Sequence, residues 1–521
     1  MSGLGKGIVT SSIGKLLQSK GLKVSPIKFD GYLNVDCGTM NPFRHGEVFV
    51  LDDGTECDMD FGTYERFLNV DLNGQNSITG GKLFRNIIDK ERKGGFLGRD
   101  VQIVPHLTDE IKAWIRKTGE TQDADVVIVE VGGTVGDLEN GYFLEAMRQF
   151  AAEEKVLFLQ LTWVPSMSEG EPKTKPTQHA NKLIQSMGIH PNLIVCRQDE
   201  LLSRDAKDKI AMFCNVPVQN VFDDPSIDTI YELPMILEKQ KMTELLLKEL
   251  DIEEKGEDMK EWRAIVEKIR SPKKEITVAI TGKYTAVKDA YVSVKEALVH
   301  AGAHHNANVN VKWVETSEID DGKATAKELL KDCDGIIVPG GYGSRGTEGK
   351  IACIKYAREN KLPFLGLCYG LQMAVIEWAR NKAGMEGANT TEIDEKTAYP
   401  VIDFLPEQRG IKDKGANQRL GAWPCKLKKG TKAYAAYEKE DISERHRHRY
   451  EVNNDFRAKL EESGLVISGT SPDGNIVEVI EWPDGFGIGT QAHPELKSRL
   501  ERPAPLFVSF VKACLDGKKQ N

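Results

Sequence analysis

An α/β fold built as two doubly wound parallel-sheet domains is predicted by three observations. Short apolar, strand-like runs alternate with helical patterns along most of the chain. A length of 521 residues is enough for two domains, each with its own core. A charged stretch, Asp251 to Lys260, divides the chain near its middle. The strand-like runs are Val126–Val131, Val156–Leu161, Leu193–Cys196, Ile276–Ile280, Gly335–Val338 and Pro363–Leu367. No internal repeat and no low-complexity segment interrupts them.

Composition narrows the class. Apolar residues make up 40% and charged residues 29%, as in an ordinary globular protein. The net charge of -9 leaves no excess of Lys and Arg to cover a phosphate backbone, so general nucleic-acid binding is not expected. Local basic pockets for nucleoside triphosphates remain compatible with it. The nine cysteines are scattered, with no CxxC spacing. Reduced thiols in a cytoplasmic protein are therefore expected, rather than disulfides or zinc. No apolar run reaches transmembrane length and no signal-peptide pattern opens the sequence, so no membrane association is expected.

The chain opens Ser2-Gly3-Leu4-Gly5-Lys6-Gly7, and a helical pattern runs from Ile8 to Ser19. Glycines ahead of a helix let backbone N–H groups surround phosphate, and the helix dipole adds to the attraction. Lys6 would reach the outer phosphates. The loop is P-loop-like only in part: the leading glycine of GxxxxGK[ST] is missing, and Gly7 stands where Ser or Thr usually meets magnesium. A plain glycine turn is the competing reading.

Two carboxylates are placed to supply what that hydroxyl would. Asp60 lies in Glu56-Cys57-Asp58-Met59-Asp60-Phe61-Gly62, and Glu130 lies near the end of the run Val126–Val131. Ligands of doubly wound sheets gather at carboxyl ends of strands, and magnesium takes one or two carboxylates plus phosphate oxygens. A salt-bridged structural acid is the alternative at each position. Lys28 and Asp30 follow an extended run and would face the same cleft. Lys173-Thr174-Lys175-Pro176-Thr177-Gln178-His179 is a basic, hydroxyl-rich loop that reads equally as a phosphate site or a solvated loop.

The boundary between domains is expected at residues 256–275. Met259, Trp262, Ile265, Val266 and Ile269 recur at helical spacing, Ser271-Pro272 ends that helix, and a strand begins at Glu275. This gives domains at 1–255 and 276–521.

The second half carries a nucleophile pattern. In Pro363-Phe364-Leu365-Gly366-Leu367-Cys368-Tyr369-Gly370-Leu371-Gln372 an apolar run ends in a cysteine flanked by glycines, and a helical pattern follows at once. A strand–elbow–helix turn presents a nucleophile in this way, and the next backbone N–H helps to hold an oxyanion. A lone cysteine is more often a small core residue. The glycine bracket and Gln491-Ala492-His493-Pro494-Glu495 favour the functional reading, with His493 as base and Glu495 orienting it. Val338-Pro339-Gly340-Gly341-Tyr342-Gly343 supplies a backbone nest for the oxyanion. A cysteine suits attack on a carboxamide, since a neighbouring histidine favours the thiolate.

With these residues assembled, the chain resembles the CTP synthase family over nearly its whole length. The motifs that carry the resemblance are Tyr32-Leu33-Asn34-Val35-Asp36, His45-Gly46-Glu47-Val48-Phe49-Val50, Gly132-Gly133-Thr134-Val135-Gly136-Asp137, Lys173–Gln178 and Arg445-His446-Arg447-His448-Arg449-Tyr450-Glu451-Val452-Asn453. The first half resembles a synthetase domain and the second a class I glutamine amidotransferase domain. The resemblance implies that ATP phosphorylates the 4-oxygen of UTP, ammonia from glutamine attacks that carbon, and phosphate leaves. It implies Mg2+ held by Asp60 and Glu130, and ATP held by Gly3, Leu4, Gly5, Lys6, Gly7, Ile8 and Asp60. Lys28 would sit near the transferred phosphoryl group. UTP, or CTP as feedback inhibitor, would be met by Ser2, Asp137, Leu138, Glu139, Lys173, Thr174, Lys175, Pro176, Thr177, Gln178 and Lys209. Glutamine would be met by Gly341, Tyr369, Gly370, Leu371, Gln372, Glu392 and Arg449 around Cys368. An ammonia channel, activation by GTP and a homotetramer are also implied.

Three departures from the family pattern set expectations of their own. The family begins earlier, with a strand and the first half of the phosphate loop; either this sequence starts late or the first parallel strand is missing, and in the latter case ATP binding is expected to be weakened. Tyr369 stands where the family has leucine, and Ala492 where it has phenylalanine. Two other readings share these features: a ligase of the cobyrinic acid amidating type, and a catalytically impaired structural polymer subunit.

Overall fold

A computed structural model describes residues 3–41, 45–166, 171–256, 258–283, 288–404 and 418–518. Ser2, expected to meet UTP, lies outside the described residues. Two compact units emerge: Met1–Asp36 with Thr63–Val266, and Cys37–Gly62 with Glu267–Asn521. The segment 37–62, which sequence order assigns to the first half, thus belongs with the second unit.

The first unit opens with α1 (Lys6–Ser19) and β1 (Val24–Asp30). Three parallel strands pair in the order β2 (Ser77–Thr79), β1, β3 (Val126–Val131). A second parallel sheet joins β4 (Leu159–Trp163), β5 (Leu193–Arg197) and β6 (Val221–Asp224) in that order. β1 is buried along its whole length, as a strand covered on both faces must be. Its Ile27 and Phe29 pack with Ile78, Ile111 and Phe143, and the Phe29 and Phe143 rings stack at 4.5 Å. The run expected from Val156 enters the ladder only at Leu159, because the Phe158 N–H is taken by the Asn192 side chain. A cavity of about 930 Å³ lies between β3 and β4 and is lined by Val9, Ile13 and Leu17 of α1.

The amphipathic helix expected between the domains is present at Lys260–Arg270. Its buried Trp262 donates to the Tyr231 carbonyl at 2.8 Å and lies beside Phe67, with the Lys15 ammonium 4.7 Å from its ring. The helix start therefore packs on the first unit, and the division between units falls within it, after Val266.

The second unit is organised on a nine-stranded sheet. β7 (Lys274–Gly282), β8 (Ala307–Glu315), β9 (Gly335–Val338) and β10 (Phe364–Leu367) are parallel, and Gly487–Thr490 joins them beside β10. Val477–Glu481, Val466–Thr470, Arg419–Leu427 and Asp441–His448 extend the sheet antiparallel. Successive residues face opposite layers. Ile336 and Val338 join one core with Met373 and Trp378, whereas Ile337 joins another with Leu298, Phe507 and Phe510. All nine cysteines are free and buried. No described helix is long and apolar enough to cross a membrane.

Candidate active sites

Cys368 stands at the point where β10 turns into α2 (Tyr369–Asn381). Its backbone is left-handed, at φ 51° and ψ -101°, a conformation that costs a non-glycine residue on the order of 1–3 kcal/mol. The neighbouring chain holds it there. The Cys368 N–H donates to the Thr490 carbonyl at 2.7 Å, and the Cys368 carbonyl accepts from Gln372 N–H at 3.2 Å. Gly370 must be glycine, because a Cβ there would strike the Val338 carbonyl. A buried thiol on a strained elbow at the carboxyl end of a parallel strand is the geometry expected from the sequence.

His493 and Glu495 complete the set. Glu495 Oε1 lies 2.7 Å from His493 Nδ1, which fixes the imidazole and leaves Nε2 to face other groups. Nε2 is buried and meets no hydrogen-bond partner among the described residues. Burial alone would lower the His493 pKa, but the Glu495 carboxylate and the Cys368 sulfur prevail and raise it to about 10. At neutral pH the ring is therefore an imidazolium beside the sulfur. A Cβ on Gly340 would lie 2.8 Å from His493 Cε1 and 3.8 Å from Cys368 Cβ, so the glycine loop passes directly against both.

The loop Gly340–Gly343 is fastened on several sides. Gly343 N–H donates to Glu392 Oε1 at 2.6 Å, and the Tyr369 hydroxyl donates to the Gly343 carbonyl at 3.1 Å. Lys283 Nζ donates to the Tyr342 carbonyl. Burial raises the Glu392 pKa, while the Gly343 N–H and the charges of Lys283, Lys350 and Arg449 hold it back. Gln372 Nε2 donates to the Tyr450 carbonyl at 2.8 Å. Gly341, Tyr369, Gly370, Leu371, Gln372, Glu392 and Arg449 all fall in the second unit with Cys368.

Three participants were not singled out from sequence. Gln491 Nε2 donates to the Cys368 sulfur at 3.5 Å. The Arg447 carbonyl lies 3.8 Å from that sulfur and accepts from the Tyr342 hydroxyl at 2.9 Å. Lys350 is a buried cation close enough to feel the charges of Cys368 and Glu392. Gln491 directly precedes the histidine motif, which was a usable signal. Lys350 sits on a helix whose sequence gives no hint of the pocket.

In the first unit, Gly5 caps α1 with φ 98°, a value suited to glycine. Lys6, the first helical residue, donates to the Gly133 carbonyl at 3.0 Å, which brings the opening loop to the end of β3. The carbonyls of Gly7 and Ile8 accept from the Ser11 and Ser12 hydroxyls, so those hydroxyls are spent within the helix. Gly3 is exposed, and Leu4 lines the cavity between β3 and β4. Lys28 is buried, 3.9 Å from Glu130 and 4.0 Å from Asp30, and Glu130 accepts from the Tyr64 hydroxyl at 2.5 Å. Asp60 falls in the segment 37–62, which belongs to the second unit; it opens the helix Asp60–Leu68, with its N–H bonded to the Asp58 carboxylate.

Asp137 accepts from Thr134 N–H at 2.8 Å, closing the turn after β3, and Leu138 and Glu139 are exposed beyond it. In the basic loop Lys173 pairs with Glu171 at 2.6 Å. The Lys173 bond chiefly lowers the Glu171 pKa, and the charge of exposed Lys209 adds to it. Lys175 and Pro176 start the helix Lys175–Ser186. The Thr174 hydroxyl accepts from Gln178 at 3.0 Å, and Thr177 accepts from the Thr162 hydroxyl at 3.1 Å. Among the described residues no cluster of three acidic, histidine or cysteine side chains forms a ready-made metal cage. Carboxylates such as Asp60 and Glu130 are nonetheless the hard oxygen donors magnesium takes alongside phosphate oxygens.

Comparison with known proteins bears on both units. Residues 1–252 match the family model described as CTP synthase N-terminus, and residues 286–513 match glutamine amidotransferase class-I. The chain is 52% identical over 526 residues to the CTP synthase of Caldanaerobacter subterraneus subsp. tengcongensis, covering 100% of this chain and 98% of the relative. It is 50% identical over 520 residues to the CTP synthase of Bacillus licheniformis, covering 99% and 97%. Among solved structures, the Trypanosoma brucei CTPS glutaminase domain with bound acivicin aligns at TM-score 0.43 and 34% identity, over 46% of this chain and 94% of that one.

Proposed function

The chain belongs to the CTP synthase family, and from that premise we propose how its residues divide the work of aminating UTP. The enzyme is a ligase that makes CTP from UTP with ATP and glutamine nitrogen. Similarity over the full length to relatives named CTP synthase favours this over a ligase of the cobyrinic acid amidating type and over a disabled polymer subunit. The observation that carries the assignment of the glutamine site is the elbow: a buried thiol on a left-handed residue, with a carboxylate-held imidazolium beside it.

Glutamine hydrolysis begins when the Cys368 sulfur attacks the side-chain carboxamide carbon. The carbonyl electron pair moves onto oxygen, where the Gly341 and Tyr369 N–H groups stabilise it. His493 gives its proton to the departing ammonia, leaving a glutamyl thioester. Water, deprotonated by His493, then releases glutamate. Glu392 suits the substrate ammonium and Arg449 its carboxylate, with Gln372 bracing the turn.

In the synthetase half, Gly3 to Ile8 would cradle ATP phosphates at the start of α1, and Lys6 would neutralise their charge. Asp60 and Glu130 would hold magnesium, which when bound spreads the phosphate charge. Lys28, buried at the strand end, would stabilise the phosphoryl group passing to the UTP 4-oxygen. Ammonia then replaces that phosphate. Ser2, Asp137 to Glu139, Lys173 to Gln178 and Lys209 would contact UTP, or CTP acting as inhibitor. GTP activation, an ammonia channel and a homotetramer extend the same reading, and nine free cysteines suit the cytoplasm.

Incubation with UTP, ATP, magnesium and glutamine tests the whole assignment. CTP and glutamate should form together; glutamate without CTP would refute the synthetase half.

A further inference from the structure

Lys350 is a deeply buried cation that the reaction outlined above leaves unused. It lies on the helix Thr347–Glu359 with only 1% of its surface exposed. Its Nζ meets no hydrogen-bond partner among the described residues. A buried ammonium with no partner is costly, so its retention calls for a reason. Two contacts show where it points. A Cβ on Gly341 would lie 3.5 Å from Nζ, so the amine sits against the proposed oxyanion loop. Nζ also lies 4.8 Å from the centroid of the Tyr369 ring, within cation–π range. Family resemblance calls for leucine at 369. The tyrosine here offers the ammonium an aromatic face, and its hydroxyl ties helix α2 to Gly343 and Thr347.

We propose that Lys350 is a positioning residue for glutamine hydrolysis: its ammonium, seated against the Tyr369 ring and Gly341, supplies positive charge beside the loop where the sulfur attacks and the oxyanion forms. The inference rests on the assignment of Cys368 as nucleophile. Lys350 transfers no proton. It acts through the field it adds beside the Gly341 loop.

The charged and titratable groups facing Lys350 come from every element around it. They are Lys283 after β7, Glu315 at the end of β8, Cys368 and Tyr369 at the elbow, and Glu392. Burial and the Lys283 charge lower the Lys350 pKa to about 7, while Cys368, Glu315 and Glu392 pull it upward. The ammonium is thus full well below that value and lost as pH rises through it.

The test compares wild type, Lys350→Met and Lys350→Arg in the full chain. Glutaminase kcat and KM are followed from pH 6.5 to 9.5, with the rate of iodoacetamide alkylation at the Cys368 peptide read by mass spectrometry. Lys350→Met should lose about tenfold in kcat and in alkylation rate at neutral pH, with KM little changed, since one charge donor near an oxyanion has an effect of at least that order. Lys350→Arg, whose charge persists, should keep its activity to higher pH than wild type. Unchanged kcat and alkylation in Lys350→Met would overturn the proposal. If the methionine variant fails a thermal melt, Lys350→Arg decides alone: a pH profile identical to wild type overturns it. Cys368→Ala run alongside separates the premises, because persistent glutamine hydrolysis there would overturn the site assignment and this inference together.

Discussion

The Arg447 guanidinium donates to the Glu56 carboxylate at 2.7 Å, although 391 residues separate them in the chain. Glu56 is buried in the segment 37–62, within the second unit, and Arg447 also reaches the Gly38 carbonyl at 3.2 Å. The backbone carbonyl of the same arginine lies against the Cys368 sulfur. An early piece of sequence therefore anchors the strand that lines the glutamine site.

Glu56→Gln should for that reason impair glutamine hydrolysis. It leaves a half-buried guanidinium without its counter-charge, a loss on the order of 1–2 kcal/mol. We expect a lower melting temperature and a fall of about tenfold in glutaminase kcat. Unchanged melting and turnover would show that the pair is incidental.

Glu495→Gln removes the largest influence that raises the His493 pKa. The imidazolium should then deprotonate at lower pH, and the alkaline limb of the glutaminase profile should move down. At pH 8 the loss should be about a hundredfold or more, in the range seen when an acid–base group is misplaced. CTP synthesis from added ammonia should not change. A pH profile that keeps its alkaline limb in place would contradict the role given to Glu495.

Acid should loosen the second unit through two buried histidines. Burial holds His446 and His448 well below the usual imidazole range, His448 at about 3. The unfolded chain binds protons near pH 6.5, whereas the folded one does not. Stability from these groups is full above that pH and falls as pH drops below it, by roughly 1 kcal/mol or more per pH unit for each histidine. Thermal melts from pH 7.5 to 5 should show the decline, and His448→Gln should make it shallower. An identical slope in that variant would place the acid sensitivity elsewhere.

Asp60→Asn and Glu130→Gln should each stop CTP formation from glutamine and from ammonia, while glutaminase turnover persists. Each removes one charge proposed to hold magnesium on ATP. Retained CTP synthesis with unchanged magnesium dependence would make both acids structural, with Glu130 serving the packing around Lys28 and Tyr64.

Some features were legible because their chemistry is local. The Cys368 elbow is written in glycines around an apolar run, and some parallel strands, such as Val126–Val131 and Gly335–Val338, in runs of Val and Ile. The antiparallel part of the large sheet was not legible. Its strand Asp441–His448 buries Glu444, Arg445, His446 and His448, so an apolar pattern cannot reveal it. Arg445 is matched by Asp52, nearly four hundred residues earlier, and Arg447 on the same strand by Glu56. Membership of 37–62 in the second unit depends on the same long-range pairs. Lys350 escaped notice because a lysine on an ordinary amphipathic helix reads as solvated until its surroundings are known.

The central claim is that Cys368 liberates ammonia which a separate site consumes. The most direct measurement is CTP formation by Cys368→Ala with glutamine, and again with ammonium chloride, against wild type. We expect no detectable synthesis from glutamine and a near wild-type rate from ammonia. Equal loss with both nitrogen sources, in a variant that melts like wild type, would contradict it.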